Sequence, residues 1–270
     1  MNDLTSPVMA VIRLAGYLGW TLLLLPVQMV AVVTWRRLSF SIPQLYHRGA
    51  LWVLGLKIER KGVPVLSRPV LFVSNHASYL DIHVLGALLN GSFIAKQEVA
   101  SWPLLGLCAK LQRSVFVDRR PGTSADQRDA VAGRLAKGES LILFPEGTSS
   151  DGNRVLPFKS ALLSVAEPSV GGRPLTVQPI SLAYARHSNM PMGRALRPFY
   201  AWYGDMGFAD HLWRVLGLGP AVVAVRFHAP VTIDDFGGRK ELARHCERVV
   251  SQGVIEALYG VAPPPSRAAA

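Results

Sequence analysis

Cysteine is nearly absent from this chain: two in 270 residues, Cys108 and Cys246. One possible pair excludes a disulfide framework, and neither cysteine has metal-site spacing around it. That usage points to a reducing, cytosolic setting. No GxSxG serine, no GxxxxGK[ST] phosphate loop and no HExxH pair occurs. Serine-nucleophile, P-loop and zinc-protease chemistries therefore have no anchor, and no metal site is expected. Zinc-finger, RNP-type and aromatic-interleaved basic motifs are missing too, so nucleic acid is not an expected partner. Acidic residues are few, 18 against 29 Lys and Arg, which leaves a net charge of +11. From Leu14 to Trp35 there is no charged residue of either sign.

What is present is apolar and basic. Half the residues are hydrophobic, the mean hydropathy is +0.25 and the pI is near 10.1. A chain so charged seeks anions, and its apolar excess favours a membrane surface among them. At 1.5 Å per residue, Leu14–Trp35 reaches about 30 Å, the thickness of a hydrocarbon core. Arg36 and Arg37 close the run. A secretory signal with Arg13 as its flank is the competing reading, but no small-residue cleavage site precedes Arg36. Pro26 permits a kink, so a full span and a one-leaflet re-entry both fit. A second apolar patch covers Leu45, Tyr46, Leu51–Leu54 and Leu56. Residues 1–62 are read as membrane-associating helices.

Beyond residue 62 apolar runs alternate with helical stretches. Val70–Ser74, Ser92–Ala95, Ser114–Val117, Leu141–Phe144, Val177–Tyr184 and Ala221–Phe227 read as buried strands. Leu80–Leu89, Pro103–Leu111, Asp126–Ala136, Lys159–Ala166 and Gly238–Leu258 read as helices. The alternation predicts an α/β fold for residues 63–260, a largely buried sheet flanked by helices. Asp118–Ala125 and Glu167–Leu175 read as surface loops, and 261–270, rich in Pro and Ala, as a disordered tail.

Chemistry gathers at strand ends. His76 and Asp81 follow the run Val70–Val73. A histidine takes protons near neutral pH, and a carboxylate beside it orients the ring. On a straight helix five residues would set the two side chains about 140° apart, so contact requires a turn, with Ser78 as the N-cap of the next helix. A capped loop without chemistry fits the same residues. The strand Leu141–Phe144 runs into Pro145-Glu146-Gly147-Thr148-Ser149-Ser150, where Glu146 can accept hydrogen bonds, Gly147 permits close approach and Thr148 donates. A plain turn is the alternative. Arg119, after Phe116-Val117-Asp118, and Lys96, after Phe93-Ile94-Ala95, offer cations for an anionic group or end their strands in solvent. Pro179 in Val177-Gln178-Pro179-Ile180 predicts an edge strand or a bulge, and could shape an acyl groove. His83, His187, His211, His228 and His245 read as structural. The aromatics Phe199–Tyr203, with Trp213, fit lipid contact and packing equally.

Taken in order, Asn75-His76-xxxx-Asp81, Phe116-Val117-Asp118-Arg119, Phe144-Pro145-Glu146-Gly147-Thr148 and Val177-Gln178-Pro179-Ile180 resemble the four motifs of the 1-acylglycerol-3-phosphate acyltransferase (PlsC) family. The resemblance covers about Val70 to Ala185. It implies an α/β acyltransferase at the cytoplasmic face of the cell inner membrane. The acyl chain would come from an acyl carrier protein or coenzyme A thioester as co-substrate, without a cofactor, and would go to a lysolipid hydroxyl. By matching position, His76 is the general base and Asp81 its orienting partner. Arg119, Glu146, Gly147 and Thr148 contact the acceptor, and Lys96 matches a basic position. Many members that form phosphatidic acid carry an arginine after the threonine, where this chain has Ser149. The run Thr148–Ser160, with Pro191–Arg194 and Tyr200–Met206, is similar to the lyso-ornithine lipid acyltransferase branch, whose acceptor has an amino-acid head group and no phosphate. Arg154 is placed to replace the missing arginine, so lysophosphatidic acid stays the alternative acceptor. A non-catalytic lipid-binding protein is the alternative of another class, and a thioesterase with water as acceptor is a minor one.

Overall fold

The computed structural model describes residues 4–35, 38–117, 124–167 and 169–260. Arg36, Arg37, most of the Asp118–Ala125 loop, Arg119 and the tail 261–270 lie outside the described residues. Two helices come first, α1 (Pro7–Thr34) and α2 (Leu38–Leu54). Ser6 caps α1, its hydroxyl accepting from Met9 N at 3.3 Å, with proline at the first helical position. The helix continues through Pro26. The apolar patch from Leu45 divides at Gly55: up to Leu54 it is helix, and Leu56 opens a strand.

The remaining strands are β1 (Leu56–Lys61), β2 (Val70–Ser74), β3 (Ser92–Lys96), β4 (Val115–Val117), β5 (Leu141–Leu143), β6 (Thr176–His187), β7 (Met190–Pro191) and β8 (Ala221–Phe227). They form one mixed sheet in the order β1-β8-β6-β2-β5-β3-β4, with β7 paired to β6. All neighbours on the main path are parallel except β6 and β8. The helices between and after them are α3 (Leu80–Leu88), α4 (Leu105–Leu111), α5 (Ser124–Ala136), α6 (Phe208–Gly217) and α7 (Arg239–Tyr259). The Lys159–Ala166 stretch forms a 3-10 helix over Ser160–Ala166, and α6 occupies a stretch where the sequence pattern predicts no element.

Both faces of the sheet are covered, as the near-continuous apolar strands demand. Val70, Phe72, Ile142, Leu182 and Tyr184 face a core closed by α2, α3 and α6. Leu71, Val73, Leu141 and Leu143 face the opposite core, with Val131 of α5, Leu163 and the Leu242–Val250 stripe of α7.

Pro179 corrects half of an expectation. It sits on β6, an interior strand between β8 and β2 and not an edge, but the pairing does shift by one residue across it, from Val177 with Val231 to Ile180 with Phe227, as a bulge requires. An interior proline is tolerated because its missing donor is replaced. His228 N donates to Pro179 O at 3.0 Å. The reciprocal acceptor, His228 O, takes the Gln178 side-chain amide at 3.0 Å. The same amide bonds Val63 O, and Gln178 Oε1 accepts from Val65 N, so Gln178 also ties down the entry to β2.

Candidate active site

Parallel strands β2 and β5 end side by side, in register from Leu71 with Leu141 to Val73 with Leu143. The loops that follow therefore emerge together, one carrying His76 and the other Glu146. Asn75 extends the sheet by one residue with its side chain: Nδ2 donates to Leu182 O at 2.9 Å, and Oδ1 accepts from Leu182 N at 2.8 Å. This amide pair fixes the chain just before the histidine.

The chain then turns back on itself. Asp81, in the first turn of α3, is fully buried, and its Oδ2 lies 2.9 Å from His76 Nδ1. The same oxygen accepts from Ala77 N at 2.7 Å and Ser78 N at 2.9 Å. Oδ1 accepts from the Tyr184 hydroxyl at 2.7 Å. Asp81 thus closes the turn ahead of α3, while the Ser78 hydroxyl accepts from Leu80 N at 3.4 Å at the helix start, where an anion such as Asp81 is favoured by the helix dipole. An ionised carboxylate only accepts, so the proton between the two groups sits on His76 Nδ1. Nε2 is left as the basic nitrogen. The imidazole stacks on Phe144, centroids 4.1 Å apart and planes 19° apart, which limits its rotation. Burial, and secondarily the negative charge of Asp81, holds the Tyr184 hydroxyl far above its ordinary pKa; it stays a neutral donor.

Glu146 bridges the two loops. Oε1 accepts from His76 N at 2.9 Å and Oε2 from Leu156 N at 3.1 Å. His76 O in turn accepts from Ser150 N at 2.9 Å. Both backbone polar groups of His76 are therefore bound by the Glu146–Ser150 segment. Burial pushes the Glu146 carboxyl up to about 8, against the two backbone N–H bonds that pull it down. Gly147 has φ +73°, and a Cβ there would lie 3.0 Å from Lys159 Nζ. The Lys159 ammonium thus lies over the Gly147 backbone.

The structure joins His76, Asp81 and Glu146 into one hydrogen-bonded unit, with Gly147 and exposed Thr148 on the same loop. Lys96 is exposed at the end of β3, two strands from β2, in register with Val117. Ser149 turns its hydroxyl onto Trp202 O. Trp202 N donates to Ala77 O at 2.8 Å, so the Tyr200–Met206 segment walls the site beside both loops. Tyr184, Phe144 as a stacking partner, Lys159 and Trp202 carry no such role in the sequence reading. Tyr184 and Trp202 reach the site across 103 and 125 residues of chain, which no local spacing reveals.

The Acyltransferase family model matches residues 56–183. The chain is 43% identical over 230 residues to a lyso-ornithine lipid O-acyltransferase of Brucella abortus (strain 2308), covering 84% of this chain and 85% of that one. It is 39% identical over 244 residues to the protein of the same description from Rhizobium meliloti (strain 1021), covering 89% and 84%. A solved structure, the 1-acyl-sn-glycerophosphate (LPA) acyltransferase PlsC from Thermotoga maritima, superposes with a TM-score of 0.65 at 23% identity, covering 91% of this chain and 94% of that one. The fold is thus that of PlsC.

Proposed function

The chain belongs to the acyltransferase family, and from that premise we propose that it moves a fatty acyl chain from a thioester to the hydroxyl of lyso-ornithine lipid. The observation that carries the chemistry is the buried Asp81 carboxylate 2.9 Å from His76 Nδ1, which leaves Nε2 as the base. His76 Nε2 takes the acceptor O–H proton as that oxygen attacks the thioester carbonyl carbon. The tetrahedral intermediate collapses, the C–S bond breaks, and His76 returns the proton to the departing sulfur. Asp81 stabilises the imidazolium between the two steps. The donor is an acyl carrier protein or coenzyme A thioester, drawn by the net charge of +11.

Lys96, Arg119, Gly147 and Thr148 are assigned to acceptor binding. Glu146 serves the acceptor from behind, by holding His76 and Leu156 in place. For the head group, 43% identity to a lyso-ornithine lipid O-acyltransferase supports the amino-acid acceptor, and Ser149 agrees with it. The catalytic domain is placed on the cytoplasmic face of the inner membrane. Among the described residues, α1 is the one helix long and apolar enough to cross a membrane, yet its polar side chains Arg13, Thr21 and Gln28 are buried against the protein. Arg13 bonds Leu216 O and Leu218 O, and Gln28 bonds Ser39 O and Leu111 O. A helix docked on the domain near both ends lies in one leaflet.

Lysophosphatidic acid is the competing acceptor, since the Thermotoga maritima protein of the same fold is described as acting on it. The test is a competition: purified enzyme, labelled acyl carrier protein, and equal lyso-ornithine lipid and lysophosphatidic acid. We expect ornithine lipid as the main product; preference for the phosphate acceptor would overturn the assignment. His76→Ala should abolish transfer to either acceptor while membrane association persists.

A further inference from the structure

The outward apolar surface does not end with α1. Helices α4 and α6 both pack against α1, and both display large apolar side chains. Leu104 is 40% exposed, Trp213 is 43% exposed, and Leu107 and Met206 stand beside them in the chain segments concerned. These residues belong to none of the four motifs.

The backbone at Leu104 is the telling feature. Its φ is +58° and its ψ is −52°, and Leu105 N donates to Pro103 O at 2.6 Å. This is a γ-turn of the positive-φ kind, rare and strained for an L-residue. Glycine would make the same turn without that strain. A leucine here is unfavourable on two counts in water, since its backbone is strained and its side chain is exposed. In lipid the second cost becomes a gain, because the exposed part of the side chain leaves water.

The turn is also joined to the site. Trp102 meets Trp202 and Phe208 with ring centroids 6.1 and 6.3 Å away, and Tyr79 packs on the same two rings. Trp202 is bound to Ala77, next to His76. Depth at Leu104 therefore fixes depth at the catalytic histidine. Lys110 and Arg214 are exposed next to the apolar positions and suit anionic head groups, while tryptophan favours the interface. Two acidic groups, Asp205 and Asp210, precede α6 or open it. Asp210 lies over Gly207, 3.2 Å from where a Cβ would be.

We propose that the Pro103–Leu107 turn and the outer face of α6 form a second lipid contact, entering the same leaflet as α1 and setting the height of His76 above it. The occupant is a phospholipid surface. This rests on the one-leaflet reading of α1, and the test separates the two. Nitroxide labels are attached in a Cys108→Ser background at Val33→Cys, Leu104→Cys, Trp213→Cys and, on the far side of the sheet, Lys240→Cys. The full chain is placed in phosphatidylethanolamine–phosphatidylglycerol vesicles, and each label's accessibility to lipid-soluble oxygen and to an aqueous nickel chelate is measured.

Sites 33, 104 and 213 should favour oxygen and site 240 the chelate. Labels 104 and 213 matching site 240, with 33 still in lipid, would overturn the second contact alone. All four favouring the chelate would remove the reading of α1 as well. Leu104→Gly gives an independent readout. Its melting temperature should hold or rise as the strain is relieved, while activity on vesicle-borne acceptor falls about threefold to tenfold. Activity on detergent-dispersed acceptor should stay at the parent level; an equal loss in both would make Leu104 structural and refute the proposal.

Discussion

The Asp81 carboxylate accepts hydrogen bonds from His76, Ala77, Ser78 and Tyr184, and these partners separate its charge from its shape. Asparagine can keep the shape. Its oxygen can take the position of Oδ2 and its amide can donate to the Tyr184 hydroxyl. The negative charge opposite His76 is what disappears. Asp81→Asn should therefore fold with a modest loss of melting temperature, while kcat falls about 10²- to 10⁴-fold. Paired thermal unfolding and steady-state transfer assays check this; near-parent kcat would show that the charge is not used. The spacing of His76 and Asp81 said only that contact needs a turn, and their pairing was legible through the order of the four motifs. The Tyr184 bond was not, because it depends on β6 lying beside β2.

Elements in this protein meet at small residues. Helices α2 and α3 approach so closely that a Cβ on Gly86 would stand 2.2 Å from His47 Cδ2. His47 cannot swing aside cheaply: it is buried, and its Nδ1 lies 2.9 Å from His83 Nδ1. His83 Nε2 meets the Tyr17 hydroxyl at 3.0 Å, so α1, α2 and α3 share one polar seam. Gly86→Ala should cost about 1–3 kcal/mol by overpacking, or about 2–4 °C of melting temperature per kcal/mol in a domain of this size. An unchanged melting temperature would mean that α2 docks loosely. The apolar character of α1 was plain from composition, whereas its orientation was not. The hydrophobic run says only that most of the surface avoids water. Arg13 and Gln28 reveal the inward side by bonding carbonyls at the ends of α6 and α4.

At the scale of the molecule, buried charge makes stability depend on pH. Burial raises the Glu146 carboxyl to about 8, above its value in an unfolded chain. The native state then keeps a proton that the unfolded state has lost between those two values. Stability from this group is fully present below the unfolded pKa and is lost as pH rises through about 8. Glu146→Gln removes the titration and leaves one backbone N–H of His76 or Leu156 without its acceptor. Across pH 5 to 8, roughly the range between the two values, the gap in melting temperature between parent and variant should narrow as pH rises. A constant gap would show that Glu146 does not titrate there.

The amino-acid sequence by itself determined the chemistry and the layer pattern of this protein. Histidine and aspartate at strand ends, the FPEGT block and alternating apolar runs are local signals, read within a few residues. Tertiary structure alone decided what those residues touch. It set the Glu146 carboxyl as a bridge under His76, and placed Pro179 inside the sheet with Gln178 supplying the missing donor. It also brought Trp202 against Ala77 and aimed α1 with its polar stripe inward. Each of these is a contact across long stretches of chain. The physical reason is the same throughout: a buried polar group takes whichever partner the fold brings within about 3 Å, and sequence spacing does not encode that distance.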